Sequence, residues 1–214
     1  MSKLIVFQGD SITDSGRNYE SSYFEGYGYV TMVKGILGLE YPEKYSFINK
    51  GVSGNRIVDL YARIKADIIN LKPDYLSILI GVNDVAHELY RKNGVSAEKF
   101  EKIYCMLIEE IKEALPDVKI MIMEPFLVKG STTISNEFYD DMYPLYRREV
   151  EERAKASKRV AEKFSLPFIK LQEKFDAVYN PENPEYWIRD GVHPVAPGHM
   201  LIAKEWIKMF ETLQ

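Results

Sequence analysis

Ser11 stands in Gly9-Asp10-Ser11-Ile12-Thr13-Asp14, directly after an apolar run, where a hydroxyl is a useful nucleophile only if a base takes its proton. The bases on offer are few, because the chain has three histidines, His87, His193 and His199, and one cysteine, Cys105. Asp190-Gly191-Val192-His193-Pro194 places a carboxylate three residues before an imidazole. If that segment makes one helix-like turn, the carboxylate lies beside the ring, fixes its tautomer and stabilises its protonated form. Asp84-Val85-Ala86-His87 has the same spacing, and spacing alone does not choose between the two. Two further segments supply hydrogen-bond donors. Gly54, in Asn49-Lys50-Gly51-Val52-Ser53-Gly54-Asn55, can present its N–H with no side chain in the way, and Asn83, in Gly81-Val82-Asn83-Asp84, carries a neutral amide. Together with the Ser11 N–H they can form a three-donor hole for the oxyanion of a tetrahedral intermediate.

These residues meet only if a scaffold gathers them, and the hydrophobic pattern describes one. Short apolar runs at Leu4–Gln8, Ser46–Asn49, Tyr75–Ile80, Lys119–Met123 and Pro167–Lys170 read as strands buried on both faces. Between them, Phe100, Ile103, Tyr104, Leu107, Ile108 and Ile111 step by three and four through a helix from Ser96, its N-cap, to Leu115, before Pro116. Further stripes mark a helix through Ile57, Leu60, Tyr61, Ile64 and Ile68 before Pro73, one through Val150 to Phe164, and one from Pro197 to about Phe210. Alternating strands and helices predict a three-layer α/β/α fold with a five-stranded parallel sheet, for which the common doubly wound order 2-1-3-4-5 is expected. In that order strands two, one and three are neighbours, and the loops that carry the three polar segments, including Gly81 to Asp84, leave the same edge. The stretches from Pro125 to about Tyr143 and from Asn180 to Ala196 read as long loops at strand carboxyl ends, where ligand sites form.

Four blocks in order, Gly9-Asp10-Ser11-Ile12, Asn49-x-Gly51-x-x-Gly54, Gly81-x-Asn83-Asp84 and Asp190-x-x-His193-Pro194, resemble the SGNH/GDSL hydrolase family. The resemblance implies Ser11 as nucleophile, His193 as general base and acid, Asp190 as its orienting partner, and Ser11 N–H, Gly54 N–H and the Asn83 side chain as oxyanion donors. It implies no metal and no other cofactor. Within the family, the strings from Gly9 to Asp14, from Asn49 to Asn55 and from His193 to Met200 are similar to bacterial esterases that remove acetyl groups from xylan fragments and related sugars. The implied partner is a small-molecule ester, an acetylated sugar. A lysophospholipase or thioesterase, a sugar-binding module without activity and a flavodoxin-like nucleotide binder are the competing readings. The last lacks a phosphate-cradling Gly-Lys-Ser/Thr segment after the first strand.

Asp10, His87, Tyr186 and Trp187 are the candidate substrate-binding residues. The 15 tyrosines, among them Tyr19, Tyr23, Tyr139, Tyr143, Tyr179 and Tyr186, suit sugar rings but equally suit loop packing or a homo-oligomer interface. Cys105 reads as a packing residue, His199 as a surface or packing residue, and the charges from Arg147 to Lys163 as a solvated helix face.

Length and charge set the outer limits. The 214 residues predict one domain spanning 1–214, and 46% hydrophobic with 28% charged residues excludes disordered, collagen-like and membrane-spanning chains. A net charge of −4 without blocks of like charge argues against a nucleic-acid partner. One cysteine excludes an internal disulfide, and three histidines leave little for a zinc cage. The run Leu4-Ile5-Val6-Phe7 is too short for a signal-peptide core, so a cytoplasmic protein that does not enter a membrane is expected.

Overall fold

Along the first strand the side chains alternate between two hydrophobic cores: Ile5 and Phe7 enter one, Val6 the other. In this computed structural model, which describes residues 2–21 and 23–214, the strands are β1 (Lys3–Gly9), β2 (Tyr45–Asn49), β3 (Tyr75–Leu79), β4 (Lys119–Met123) and β5 (Phe168–Ile169). All pairs are parallel, in the order β2-β1-β3-β4-β5 anticipated from the pattern. Phe7 pairs with Asn49 and Gly9 with Leu79, so the segments following β1, β2 and β3 emerge side by side.

The helices are α1 (Ser11–Asp14), α2 (Tyr29–Glu40), α3 (Ile57–Ala62), α4 (Ile64–Asp67), α5 (Val82–Arg91), α6 (Ala97–Ala114), α7 (Tyr143–Lys163), α8 (Gln172–Val178) and α9 (Ala196–Glu211). Side chains of α2, α8 and α9 build the core on the Ile5 and Phe7 face. Those of α3, α4 and α6 build the one on the Val6 face. Trp206 of α9 is fully buried against Phe7 and Phe210, and its indole N–H donates to Ser77 Oγ at 2.9 Å. Complete burial of such a side chain contributes about 1.5–3 kcal/mol. No helix among the described residues is long and apolar enough to cross a membrane.

Three local expectations are corrected. The helix before Pro73 is broken into α3, α4 and a 3-10 turn at Ile69–Leu71. The break falls at Arg63, whose guanidinium turns inward to reach Gln8 Oε1, the Lys50 carbonyl and Asp67, which a straight surface helix does not offer. The residues after β3 are not a loop, since α5 begins at Val82 immediately after Gly81. The charged face of α7 is only partly solvated: Arg153 is 4% exposed, donating to the Val95 carbonyl and to Glu149. α2 was not legible as a stripe because Gly35, Gly38 and β-branched residues dilute its propensity; Tyr29, Val33 and Leu37, four residues apart, are nevertheless fully buried.

Candidate active site

β1 ends at Gly9 and the chain turns at once into α1, with Asp10 as its N-cap and Ser11 as its first residue. Asp10 Oδ1 accepts the Ile12 N–H at 3.0 Å, and the side chain is 1% exposed. Burial pushes its carboxyl up to about 6, against the opposing influence of the Ile12 N–H and His193. Asp10 is therefore a cap beneath the site, and its placement among the substrate-binding candidates is corrected. The Ser11 N–H sits at the first position of α1, where helical N–H groups have no partner within the helix.

Ser11 Oγ lies 2.9 Å from His193 Nε2, and His193 Nδ1 lies 2.8 Å from Asp190 Oδ2. The expected helix-like turn does not form between Asp190 and His193. Instead the carboxylate folds the segment itself: Oδ1 accepts the N–H groups of Val192 at 3.0 Å and His193 at 2.8 Å, while Ile188 and Pro194 close it with an antiparallel bridge. Burial works to raise the Asp190 carboxyl, but the His193 ring and the two N–H groups outweigh it and hold it well below the usual carboxylate range. A carboxylate so held keeps its negative charge beside the ring and directs Nδ1–H towards itself, leaving Nε2 to accept a proton.

The donor side comes from two other elements. Gly54 has φ +82°, a left-handed conformation that favours glycine, and its N–H finds no acceptor in the protein among the described residues. Asn83, in the first turn of α5, donates one amide hydrogen to the Asn55 carbonyl at 3.2 Å. That bond orients the amide and leaves its second hydrogen available.

A polar framework fixes these parts. Asn49, at the end of β2, donates to the Thr13 and Glu25 carbonyls at 2.6 and 2.7 Å and accepts the Gly51 N–H at 2.9 Å. Gly51 passes so close to α1 that a Cβ there would lie 2.3 Å from Asp14 N. Asp14 accepts from Tyr19 Oη, from the Ser53 hydroxyl and N–H, and from the Arg17 N–H. Burial opposes its ionisation, yet those four bonds hold it below the usual range. Asp84 accepts the Ile57 N–H with both oxygens, tying the start of α3 to α5. Burial keeps its carboxyl well above the usual range despite that bond and Arg153. Arg63 holds Asn55 Oδ1 at 2.8 Å. Asp14 and Arg63 were missed as supports because an isolated polar residue in a sequence does not reveal that it will be drawn inward.

A cleft of about 750 Å³ opens on Ser11, Gly54, Asn83 and His193, walled also by Arg56, Asp59, His87, Tyr90 and Arg91. A smaller one of about 360 Å³ reaches Ser11 and His193 from the side of Ser15, Tyr27, Arg189 and His199. His87 is thus on the cleft wall, and its ring makes no hydrogen bond to Ser11. Burial, then Arg56 and Arg91, depress its basicity. Tyr186 and Trp187 line neither cleft, which corrects their assignment. Their rings meet edge to face at 5.3 Å, Tyr186 is 55% exposed, and the Trp187 carbonyl takes the Val195 N–H to start α9. His199 is buried and accepts the Tyr29 N–H at 3.2 Å; burial, then repulsion from His193, lowers its pKa to about 4. Among the described residues no group of three or more His, Cys, Asp or Glu is arranged to hold a metal ion.

Similarity to known proteins covers nearly the whole chain. The acetylxylan esterase of Geobacillus stearothermophilus is 35% identical, over 95% of this chain and 92% of that protein. Its crystal structure matches with a TM-score of 0.84 at 33% identity, covering 97% of this chain and 93% of that one. A GDSL-like lipase candidate from Parabacteroides merdae matches with a TM-score of 0.88 at 34% identity, covering 99% of this chain and 97% of that one. The family profile itself spans residues 7–201, from the middle of β1 into α9, and so takes in the serine, both donor segments and the Asp190–His193 bend: the chain belongs to the GDSL-like lipase/acylhydrolase family.

Proposed function

We propose that the protein is a serine esterase that removes small acyl groups, above all acetyl, from O-acylated carbohydrates through an acyl-Ser11 intermediate. The observation that carries the reading is the unbroken hydrogen-bonded series from Ser11 Oγ through His193 to Asp190 at the mouth of a cleft supplied with donors. The acetylxylan esterase relative supports the acyl group and the class of alcohol. So does the cleft wall, where Arg56, Asp59, Asn83, His87, Tyr90, Arg91 and Asn93 offer hydrogen bonds to a hydroxyl-rich ligand. The reading treats residues 1–214 as one catalytic domain.

In this mechanism His193 Nε2 takes the Ser11 proton as Oγ attacks the ester carbonyl, and the carbonyl electrons move onto oxygen. The Ser11 and Gly54 N–H groups and the Asn83 amide hold that oxyanion, while Asp190 stabilises the imidazolium. Collapse expels the sugar alkoxide, which leaves with the proton from His193. Water then repeats the sequence, releasing the carboxylic acid and restoring Ser11. A panel that crosses acyl length with sugar, lipid and thiol leaving groups tests the reading. Acetyl sugars are expected to have the highest kcat/KM, whereas faster hydrolysis of octanoyl than of acetyl esters overturns it.

A further inference from the structure

Because α5 begins at Val82, Asn83, His87 and Arg91 fall four residues apart on one helix face, with Ala86 and Tyr90 between them. All five line the cleft that opens on Ser11. Eight residues of helix place the Arg91 backbone about 12 Å along the axis from Asn83, so this face leads from the donor site towards the far end of the cleft. Tyr90 is fixed there by its hydroxyl, which donates to the Thr132 carbonyl.

The charges along this wall are unequal. Arg56 is engaged by Asp59, with Nε at 2.9 Å and Nη2 at 3.1 Å from its two oxygens, and a further N–H goes to the Asn93 carbonyl. Arg91 has no counterpart: among the described residues its guanidinium makes no ion pair and no hydrogen bond. Among the described residues Asp59 is the one carboxylate lining the cleft and is already spent on Arg56, so that lining carries a net positive charge in a protein whose net charge is −4. A free guanidinium offers a planar fork of donors matched to a carboxylate.

We propose that Arg91 is a specificity-determining residue that binds a carboxylate on the saccharide, so that the preferred substrate is an acetylated oligosaccharide bearing a uronic acid near the ester. His87 and Tyr90 line the path between the reacting ester and that carboxylate. The proposal rests on the carbohydrate-esterase reading above and adds the charge of the substrate to it.

The test compares kcat/KM for two acetylated oligosaccharides of equal length, one with and one without a uronic acid, alongside an aryl acetate. The wild type is expected to favour the acidic substrate about fivefold, the scale of a solvent-exposed ion pair, and to lose that preference as ionic strength rises. Arg91→Gln should bring the ratio of acidic to neutral close to one, Arg91→Glu should reverse it, and Arg91→Lys should restore part of it. Equal kcat/KM for the two oligosaccharides in the wild type, or a preference unchanged in Arg91→Glu, overturns the subsite while leaving the esterase reading intact. Failure of the wild type to hydrolyse the aryl acetate and both oligosaccharides overturns that reading and the subsite with it.

Discussion

Asp14 Oδ2 accepts both the backbone N–H of Ser53, at 3.0 Å, and its hydroxyl, at 2.8 Å. The last residue of the helix that begins with Ser11 thereby grips the residue preceding Gly54. The proposed nucleophile and a donor of the proposed oxyanion hole come from segments after different strands, and this contact ties those segments together.

Asp14→Ala removes that grip and leaves the Ser53 N–H short of an acceptor. Stability should fall by about 1.5–3 kcal/mol, the usual contribution of hydrogen bonds to a charged group. The kcat for an aryl acetate should fall on the order of 10²-fold, as misplacement by an ångström does. Asp14→Asn keeps one oxygen and should recover part of both. Denaturant midpoints and kcat measured together check this, and wild-type kcat in Asp14→Ala would show that the contact does not organise the site.

Gly54→Ala tests the donor loop. A Cβ at this position would meet nothing within 4 Å, so any loss arises from backbone conformation rather than crowding. Forcing alanine to φ +82° costs about 1–2 kcal/mol. A loop that relaxes away from it turns the N–H off target, with kcat reduced on the order of 10²-fold. An alanine variant with unchanged kcat contradicts the role proposed for this N–H.

Asp10 gives the fold an unusual pH dependence. Its carboxyl is raised to about 6 in the folded protein, so between the ordinary carboxylate range and that value the folded state binds more protons than the unfolded one. Its contribution is fully present below that window and is lost as pH rises through about 6, amounting to about 2–3 kcal/mol. Asp14 and Asp190, both depressed, act in the opposite sense: their contributions are present above the ordinary range and fade as pH falls through their folded values. Asp10→Asn keeps the N-capping oxygen and should gain stability relative to the wild type between pH 4.5 and 7. Unfolding free energies at those two pH values check it, and a constant difference between variant and wild type refutes it.

The two histidines separate by size of effect. His193→Ala should lower kcat on the order of 10³-fold, since it removes the group 2.9 Å from Ser11 Oγ. His87→Ala should show the smaller loss, expressed mainly in KM, because the ring lies on the cleft wall. The reverse ranking, read from initial rates, would return His87 to the part of base.

Much of this site was legible because its chemistry sits where patterns change: Ser11, Gly54 and Asn83 each follow a short apolar run, and only the parallel order of the sheet was needed to bring those runs together. The resemblance of four ordered blocks singled out His193 where Asp-x-x-His spacing left His87 open. What escaped depends on three dimensions. Asp10 looks like a ligand-facing neighbour of Ser11 but is turned under it as a cap, and Tyr186 and Trp187 lie near Asp190 in sequence yet line neither cleft. Reading Gly81 to Asp84 as a loop concealed the helical register that sends His87 and Arg91 along the same wall as Asn83. That register was recoverable, since the step of four from Asn83 is present in the sequence once the helix is allowed to start at Val82.

The central claim is that Ser11 carries the acyl group. Rapid mixing of the enzyme with an aryl acetate, acid quench and peptide mass analysis tests it most directly. The account predicts a burst of phenol and one acetyl group on the peptide containing Ser11, both absent in Ser11→Ala. Acetylation of a different residue, or undiminished hydrolysis by Ser11→Ala, contradicts it.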